Sequence, residues 1–246
     1  MRPFFVLIAL LGSTLATGPT HPPPTLEGLK ALVDSGETLK AHALLEGYLK
    51  DHRGDLEASQ LLSRVYLLEG NPKAALETLL KFSGSTGSPA GPEYNWILGQ
   101  ILLELGRFEE ALTQLRLASS YGNDYRYPMD WGAAAWRMGR TDIALLAYTR
   151  AQQLAPNEPW PRLNRAMILE ATGKPKPALE TLREALRMLE AQGVPRSHPA
   201  YPDLYYWSGQ ALETLGRRRE ARAAYETALG FDANYSSARR ALEGLK

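Results

Sequence analysis

The sequence of 246 residues contains no cysteine. This absence excludes disulfide bonds, catalysis by a thiol and a lipid-modified amino-terminal cysteine, and it suits an oxidising compartment without proving one. Histidine is scarce, and no two of the four histidines have the spacing of metal ligands on a helix. We therefore expect His42 and His52 to have a surface role, and we expect no metal site.

Motifs of the common catalytic classes are also missing. The sequence has no Gly-x-Ser-x-Gly nucleophile turn, and no Gly-x-Gly-x-x-Gly follows a strand, because no strand pattern is evident. Gly173-Lys174 lacks the upstream glycine of a phosphate-binding loop, and carboxylate pairs such as Glu109 and Glu110 fall on exposed helical faces. These absences predict a protein that is not an enzyme and that holds no cofactor.

Neither sign of charge prevails in the chain. Lys and Arg number 28 against 27 for Asp and Glu, so the net charge is +1. No global field therefore recruits nucleic acid or acidic lipid. We interpret the arginines at 217, 218, 219 and 222 as a solvated surface. The alternative, a basic patch that meets an anionic partner, stays open.

The amino terminus carries an apolar run, but a short one. Arg2 precedes eight apolar residues, and a small-residue cleavage signal ends at Ala16. We predict that residues 1–16 are a signal peptide, that residues 17–24 are a proline-rich spacer, and that the protein is exported to a periplasmic or extracellular location. Because a membrane span needs roughly 20 apolar residues, anchoring to a membrane by residues 4–16 is the alternative.

What the sequence does contain is one pattern that occurs six times. A glycine is followed five residues later by an alanine, and successive glycines are 34, 36, 33, 34 and 43 residues apart. A period in this range is typical of stacked helical hairpins, which cannot bury their apolar faces alone. We expect each glycine to adopt the left-handed backbone conformation and to end the first helix of a hairpin. The pairs are Gly36/Ala41, Gly70/Ala75, Gly106/Ala111, Gly139/Ala144, Gly173/Ala178 and Gly216/Ala221.

Two further positions recur around these glycines. We expect small residues seven before the glycine to allow a close crossing of two helices, and large residues nine after it to fill the gap to the next pair. The small residues are Ser63, Gly99, Gly132, Ala166 and Gly209. The large residues are Leu45, Leu79, Leu115, Tyr148, Leu182 and Tyr225.

These residues resemble the tetratricopeptide-repeat (TPR) family, most closely in Gly-Arg-Phe-Glu-Glu-Ala at 106–111 and in Ala151 through Pro156. The resemblance covers residues 22–233. It implies an all-α fold, a right-handed solenoid of about six helix-turn-helix repeats over residues 25–233.

Two insertions and a carboxy-terminal segment complete the predicted solenoid. The insertions at 83–92 and 193–202 lie between hairpins, where they leave each hairpin intact. Residues 234–246 place Ala238, Leu242 and Leu245 on one face of a short helix. We predict that this helix caps the last repeat.

The tryptophans mark a candidate binding surface, because all five fall in first helices. In the TPR family the first helices line the concave surface, and Trp131 matches a packing position of the family, whereas Asn164 and Trp207 flank the groove. The resemblance assigns inward-facing positions to Gln60, Arg64, Trp96, Gln100, Arg126, Met129, Ala133, Trp136, Trp160, Leu163, Met167, Tyr206 and Gln210.

An apolar and aromatic groove with amide and guanidinium groups suits an extended peptide or a partner helix. We therefore predict an exported scaffold that binds another protein or peptide in the cell envelope. A structural spacer or self-assembling subunit of an envelope complex is one alternative, and a glycan-binding module is another. No three successive repeats carry the family's clamp for a carboxy-terminal carboxylate. The sequence leaves the partner and the oligomeric state open.

Overall fold

The computed structural model of the chain describes residues 25–83 and 91–245. Within these ranges the chain forms helices and no strands, which confirms the predicted all-α fold. The predicted signal peptide, the spacer at 17–24 and most of the insertion at 83–92 lie outside the described residues. The helices are α1 Leu26–Asp34, α2 Thr38–Asp51, α3 Leu56–Leu68, α4 Pro72–Ser83, α5 Pro92–Glu104, α6 Phe108–Tyr121, α7 Arg126–Arg137, α8 Thr141–Leu154, α9 Pro159–Ala171, α10 Pro175–Ala191, α11 Ala200–Thr214, α12 Arg218–Phe231 and α13 Ser236–Gly244.

The odd-numbered helices α1 to α11 are the first helices of six hairpins, and each ends just before a repeat glycine. All six repeat glycines have a positive φ, between 70° and 79°. In the third hairpin the N–H of Gly106 donates to the carbonyl of Leu103, and the N–H of Arg107 donates to the carbonyl of Leu102. This is the hydrogen-bond pattern that closes a helix on a left-handed residue. The prediction for these turns is confirmed.

The small and large repeat positions contact each other inside a hairpin. A Cβ added to Gly99 would lie 2.6 Å from Cγ of Leu115, and one added to Gly132 would lie 2.9 Å from the ring of Tyr148. The close crossing of the two helices is therefore confirmed. The large residues lie beside the small residue of their own hairpin, and their predicted role in filling the gap to the next pair stays a prediction.

The first helices form one layer of the solenoid. Contacts join α1 to α3, α3 to α5, α5 to α7 and α9 to α11, whereas α7 and α9 contact each other at most weakly. Each second helix packs on the first helix of its own hairpin and on that of the next. The buried residues accordingly divide into three clusters that follow one another along the chain. Each repeat is therefore stabilised by contacts within its own hairpin and with its nearest neighbours.

The carboxy-terminal helix α13 packs on the last hairpin. Ala238 is fully buried and Leu245 nearly so, while Arg239, Arg240 and Glu243 are exposed. A side-chain nitrogen of Arg222 donates to the carbonyl of Leu245 at 3.1 Å. In the part of the chain that the structure describes, no helix combines the length and apolarity needed to cross a membrane.

His42 connects the first two hairpins, whereas His52 lies on the surface. Nδ1 of His42 is 2.9 Å from Oε1 of Glu69, and the His42 ring meets the ring of Tyr66 edge to face. The hydrogen bond with Glu69 raises the pKa of His42. His52 stacks on Tyr48 with 3.9 Å between the ring centroids.

Candidate functional site

The first helices α3, α5 and α7 present one face each to a common cavity of about 360 Å³. Counted from the first lining residue of each helix, the others follow at three, four, seven or eight residues, which places them on one side of the helix. Four charged side chains, a glutamine and a tryptophan lie beside a wall of leucine and alanine. The lining residues are Arg64, Leu67, Leu68, Trp96, Gln100, Leu103, Glu104, Asp130, Ala133, Ala134 and Arg137.

A second cavity of about 460 Å³ adjoins the first and shares Arg64 with it. It lies towards the amino-terminal ends of α3, α5 and α7 and also involves α1. Its lining is mostly charged, and consists of Lys30, Asp34, Leu56, Glu57, Gln60, Leu61, Arg64, Glu93 and Arg126. The two cavities together are called the N-terminal groove below.

Asp130 is a partly buried carboxylate in the first cavity. The indole N–H of Trp96 donates to Oδ2 of Asp130 at 2.7 Å, and the side-chain amide of Gln100 donates to the same oxygen at 2.8 Å. Burial raises the pKa of Asp130, whereas these two hydrogen bonds and, more weakly, the charges of Arg126 and Arg137 oppose that shift. Two neutral donors therefore hold the carboxylate, and it has no ion-pair partner among the described residues.

Two guanidinium groups flank the Trp96 ring. The Cζ of Arg126 lies 4.9 Å from the ring centroid and the Cζ of Arg64 lies 5.8 Å from it, both within the range of a cation–π interaction. Arg64 also pairs with Asp34 at 3.1 Å, and Arg126 pairs with Asp124. These ion pairs hold both guanidinium groups in place at the junction of the two cavities.

The Trp96 ring itself is only 5% exposed, so it forms a wall rather than an open platform. It packs against Tyr127, whose hydroxyl donates to Glu93 at 2.7 Å. Burial and this hydrogen bond raise the pKa of Tyr127 well above its usual range.

The structure brings six of the predicted inward-facing residues into the N-terminal groove. They are Gln60, Arg64, Trp96, Gln100, Arg126 and Ala133. The other seven line neither cavity, and their predicted contact with a ligand stays a prediction.

The seven remaining residues lie in three settings. Met129 packs against the central core cluster, and Trp136 is 38% exposed near the end of α7. Leu163 is buried in the carboxy-terminal cluster. Trp160, Met167 and Tyr206 pack on the same cluster, and the side-chain amide of Gln210 donates to the Tyr225 hydroxyl at 2.7 Å.

Asp130 is the main residue that sequence reasoning missed. It lies nine residues before Gly139, and the residues nine before the preceding two glycines, Leu61 and Ile97, are buried in the core. Transfer of repeat positions therefore predicts a packing residue there. The available signal was that Asp130 is a carboxylate where the two preceding repeats have Leu61 and Ile97, a position that is also polar in the first and fifth repeats, at Glu27 and Asn164.

The part of the chain that the structure describes contains no candidate metal site. No group of three or more histidine and carboxylate side chains in residues 25–83 and 91–245 has the arrangement of a metal site.

The predicted Trp131 packing position is confirmed, since this ring is buried in the central cluster.

Family models match three segments of the chain. Two models described as "Tetratricopeptide repeat" match residues 129–193 and 202–235. A third, described as "Anaphase-promoting complex, cyclosome, subunit 3", matches residues 34–118. No curated protein matches the sequence.

Solved structures of similar fold include several repeat proteins. PilF of Pseudomonas aeruginosa is 20% identical, with a TM-score of 0.69 over 89% of this chain and 95% of that chain. YrrB, described as "a TPR protein with an unusual peptide-binding site", is 16% identical, with a TM-score of 0.60 over 81% and 97% of the two chains. The apo form of RapI is 12% identical, with a TM-score of 0.72 over 89% and 69%. At these identities the likeness shows the fold alone.

Proposed function

The chain belongs to the tetratricopeptide-repeat family, and from this premise we propose that it binds a segment of another protein in the N-terminal groove. The observation that carries the proposal is the pair of adjoining cavities that share Arg64. Together they extend across the first helices of four successive hairpins. A surface of this shape suits several side chains of one extended segment better than one compact small molecule.

The chemistry of the groove fits a polypeptide. Leu67, Leu68 and Leu103 offer apolar area, and Leu68 is a large apolar side chain that is 61% exposed. Charged groups of both signs surround this area, so they can fix the register of a bound segment. A few central contacts then supply most of the binding free energy.

Peptide selection with matched leucine variants tests the proposal. Random twelve-residue peptides displayed on phage are selected on the full chain, and the affinities of enriched peptides are measured for Leu68→Gln and Leu146→Gln, which remove apolar area without adding charge. Leu146 lies on the second helix α8 and is also 61% exposed, so the two changes differ in location and not in exposure. We expect Leu68→Gln to weaken binding at least tenfold, which corresponds to about 1.4 kcal/mol, and Leu146→Gln to change it less than twofold.

Two outcomes would contradict groove binding. Equal effects of the two variants would move the interface away from the N-terminal groove. Failure to select any peptide, together with concentration-dependent self-association of the chain, would instead favour the structural spacer.

We also propose that the protein is exported and acts in the cell envelope or outside the cell. The support is the short charged region, the eight apolar residues and the small residues up to Ala16. Expression of the full chain in a bacterium and mass spectrometry of the exported fraction test this proposal. A mature protein that begins at Thr17 is expected, whereas a membrane-bound product that retains Met1 would favour anchoring by residues 4–16.

A further inference from the structure

We propose that the 360 Å³ cavity of the N-terminal groove takes a basic side chain, lysine or arginine, of the bound segment, with Asp130 as its anion. This inference rests on the proposed function, because the basic side chain belongs to the polypeptide that lies in the groove. It adds to that function the class of side chain, positively charged, that this cavity selects.

Hydrogen bonds hold the carboxylate of Asp130 in place through only one of its two oxygens. Its Oδ2 accepts hydrogen bonds from Trp96 and Gln100, while its Oδ1 accepts none from the described residues. Both donors are neutral, so they orient the carboxylate without cancelling its charge. A partly buried carboxylate of this kind gains most from a cation that approaches its second oxygen.

The cations of the chain itself do not fill this role. Arg64 is paired with Asp34 and Arg126 with Asp124, so the charge of Arg126 lowers the pKa of Asp130 but forms no ion pair with it. Arg137 is exposed at the rim of the cavity and forms no ion pair with a described residue. The remaining charged group of the lining, Glu104, is an exposed carboxylate that adds to the attraction for a cation.

The shape and the backbone of the cavity favour the same ligand. Leu67, Leu103 and Ala133 provide an apolar wall along which the methylene groups of lysine or arginine can pack while the charged head reaches Asp130. The helices α3, α5 and α7 all end at residues that line this cavity. The carboxy-terminal ends of helices carry partial negative charge and favour cations.

An acidic side chain is the competing ligand, because Arg64 and Arg137 also line the cavity. It would bring a second anion next to Asp130, whose hydrogen-bond donors are both neutral and which forms no ion pair with a described residue. We therefore expect the cavity to discriminate against glutamate and in favour of arginine and lysine.

Small probes test the cavity without the need for a protein partner. The full chain, labelled with ¹⁵N, is titrated with the Nα-acetyl N-methylamides of arginine, lysine, citrulline and glutamate. The readout is the indole N–H signal of Trp96, which is identified by its loss in Trp96→Phe. We expect a saturable shift with the arginine or the lysine probe, and at least tenfold weaker binding of citrulline, which has the length of arginine without its charge.

Variants of two carboxylates in the cavity distinguish a specific effect of Asp130 from a general effect of negative charge. Asp130→Asn keeps an oxygen that accepts from Trp96 and Gln100 but removes the charge, and we expect it to weaken binding of the basic probe at least tenfold. Glu104→Gln removes the exposed carboxylate of the same cavity and should weaken binding less than threefold. Ala133→Leu narrows the cavity while Asp130 stays intact, and it should also weaken binding at least tenfold.

Several results would overturn the inference. They are equal binding of arginine and citrulline, tighter binding of glutamate, equal effects of Asp130→Asn and Glu104→Gln, or no shift with any probe. The proposed function fails separately, since binding of peptides that depends on Leu68 but not on a basic residue would remove only the cation site. A basic probe that binds while no peptide does would remove only the proposed function.

Discussion

The two halves of the solenoid use the same repeat but differ on their inner faces. In α1 to α8 the inner side chains are mainly charged and amide groups, and they leave two open cavities that share Arg64. In α9 to α13 the corresponding positions carry Met167, Leu163 and Tyr206, which pack on the carboxy-terminal core cluster. The same fold therefore supports a groove in one half and a filled surface in the other.

Gln100 and Gln210 show how one repeat position acquires two roles. Both lie six residues before their repeat glycine. Gln100 donates to Asp130 across the groove, while Gln210 donates to the hydroxyl of Tyr225 within its own hairpin. The difference comes from the residue on the second helix, because Leu115 in the third hairpin offers no acceptor where Tyr225 in the sixth does.

Tyr225 also helps to close the inner face of the carboxy-terminal half. Its hydroxyl donates to Glu213 at 2.9 Å, and its ring lies 5.8 Å from the ring of Tyr206. Tyr206 in turn contacts Trp207 and Tyr235. Because these aromatic rings pack against one another, they contribute to the packing of this half and leave no open groove.

The largest expected effect compares how closely the two helices of a hairpin cross in each half of the solenoid. Gly209→Ala should lower the free energy of unfolding by about 3 kcal/mol, because the new Cβ would overlap the fully buried Tyr225 ring. Gly99→Ala should cost about 1–2 kcal/mol, since Leu115 can change rotamer more easily than a tyrosine ring that has two hydrogen bonds. Chemical denaturation of the two variants measures both values.

The matched controls for these variants are Gly47→Ala and Gly230→Ala, one in each half. Both glycines lie in helices with nothing near a new Cβ, so alanine should be neutral or stabilise by up to about 1 kcal/mol. Destabilisation by the controls as large as that of Gly209→Ala would show that helix interiors, and not the crossing, are sensitive.

A smaller effect distinguishes the polar inner face from the aromatic one. Trp96→Phe removes the donor to Asp130 and should cost about 2 kcal/mol, because the hydrogen bond goes to a carboxylate. Tyr206→Phe should cost less than about 0.5 kcal/mol, because the Tyr206 hydroxyl has no hydrogen-bond partner among the described residues. Thermal unfolding of both variants at one pH measures the difference, and equal losses would contradict the distinction.

The smallest effect concerns the pH dependence of stability. Burial raises the pKa of Asp130 above its ordinary value of 3.8, so ionisation of this group favours the unfolded state. The penalty is absent below about pH 4 and complete once the pH exceeds the raised pKa. We therefore expect Asp130→Asn to gain stability relative to the unchanged protein as the pH rises from about 4 to 7.

Denaturation curves of both proteins across this pH range check the prediction. A constant difference between the two free energies of unfolding would mean that burial does not set the charge of Asp130. A gain in stability together with the loss of the basic probe would identify Asp130 as a residue kept for binding at a cost in stability.

Local chemistry made most of the fold predictable. The left-handed turn at Gly106 needs only glycine and its neighbours, and the close crossing at Gly132 needs only a missing side chain opposite Tyr148. Such requirements recur with the period of the repeat, so the sequence predicts them without knowledge of the whole molecule. The groove residues Arg64, Trp96 and Gln100 were predicted from the resemblance to the tetratricopeptide-repeat family, which assigns them inward-facing positions.

Only the tertiary structure decided how these positions are used. Asp130 occupies a position that is apolar in the two preceding repeats, and its role depends on Trp96 and Gln100 from the neighbouring hairpin. Whether an inner position faces an open cavity or a filled core depends on side chains that lie about one repeat away in sequence, as the pairing of Gln210 with Tyr225 shows. The sequence by itself determined the helices, the turns and their stacking, because these follow from local conformation. The structure decided which inner positions line an open groove, because burial and charge compensation are properties of residues that meet only after the repeats have packed.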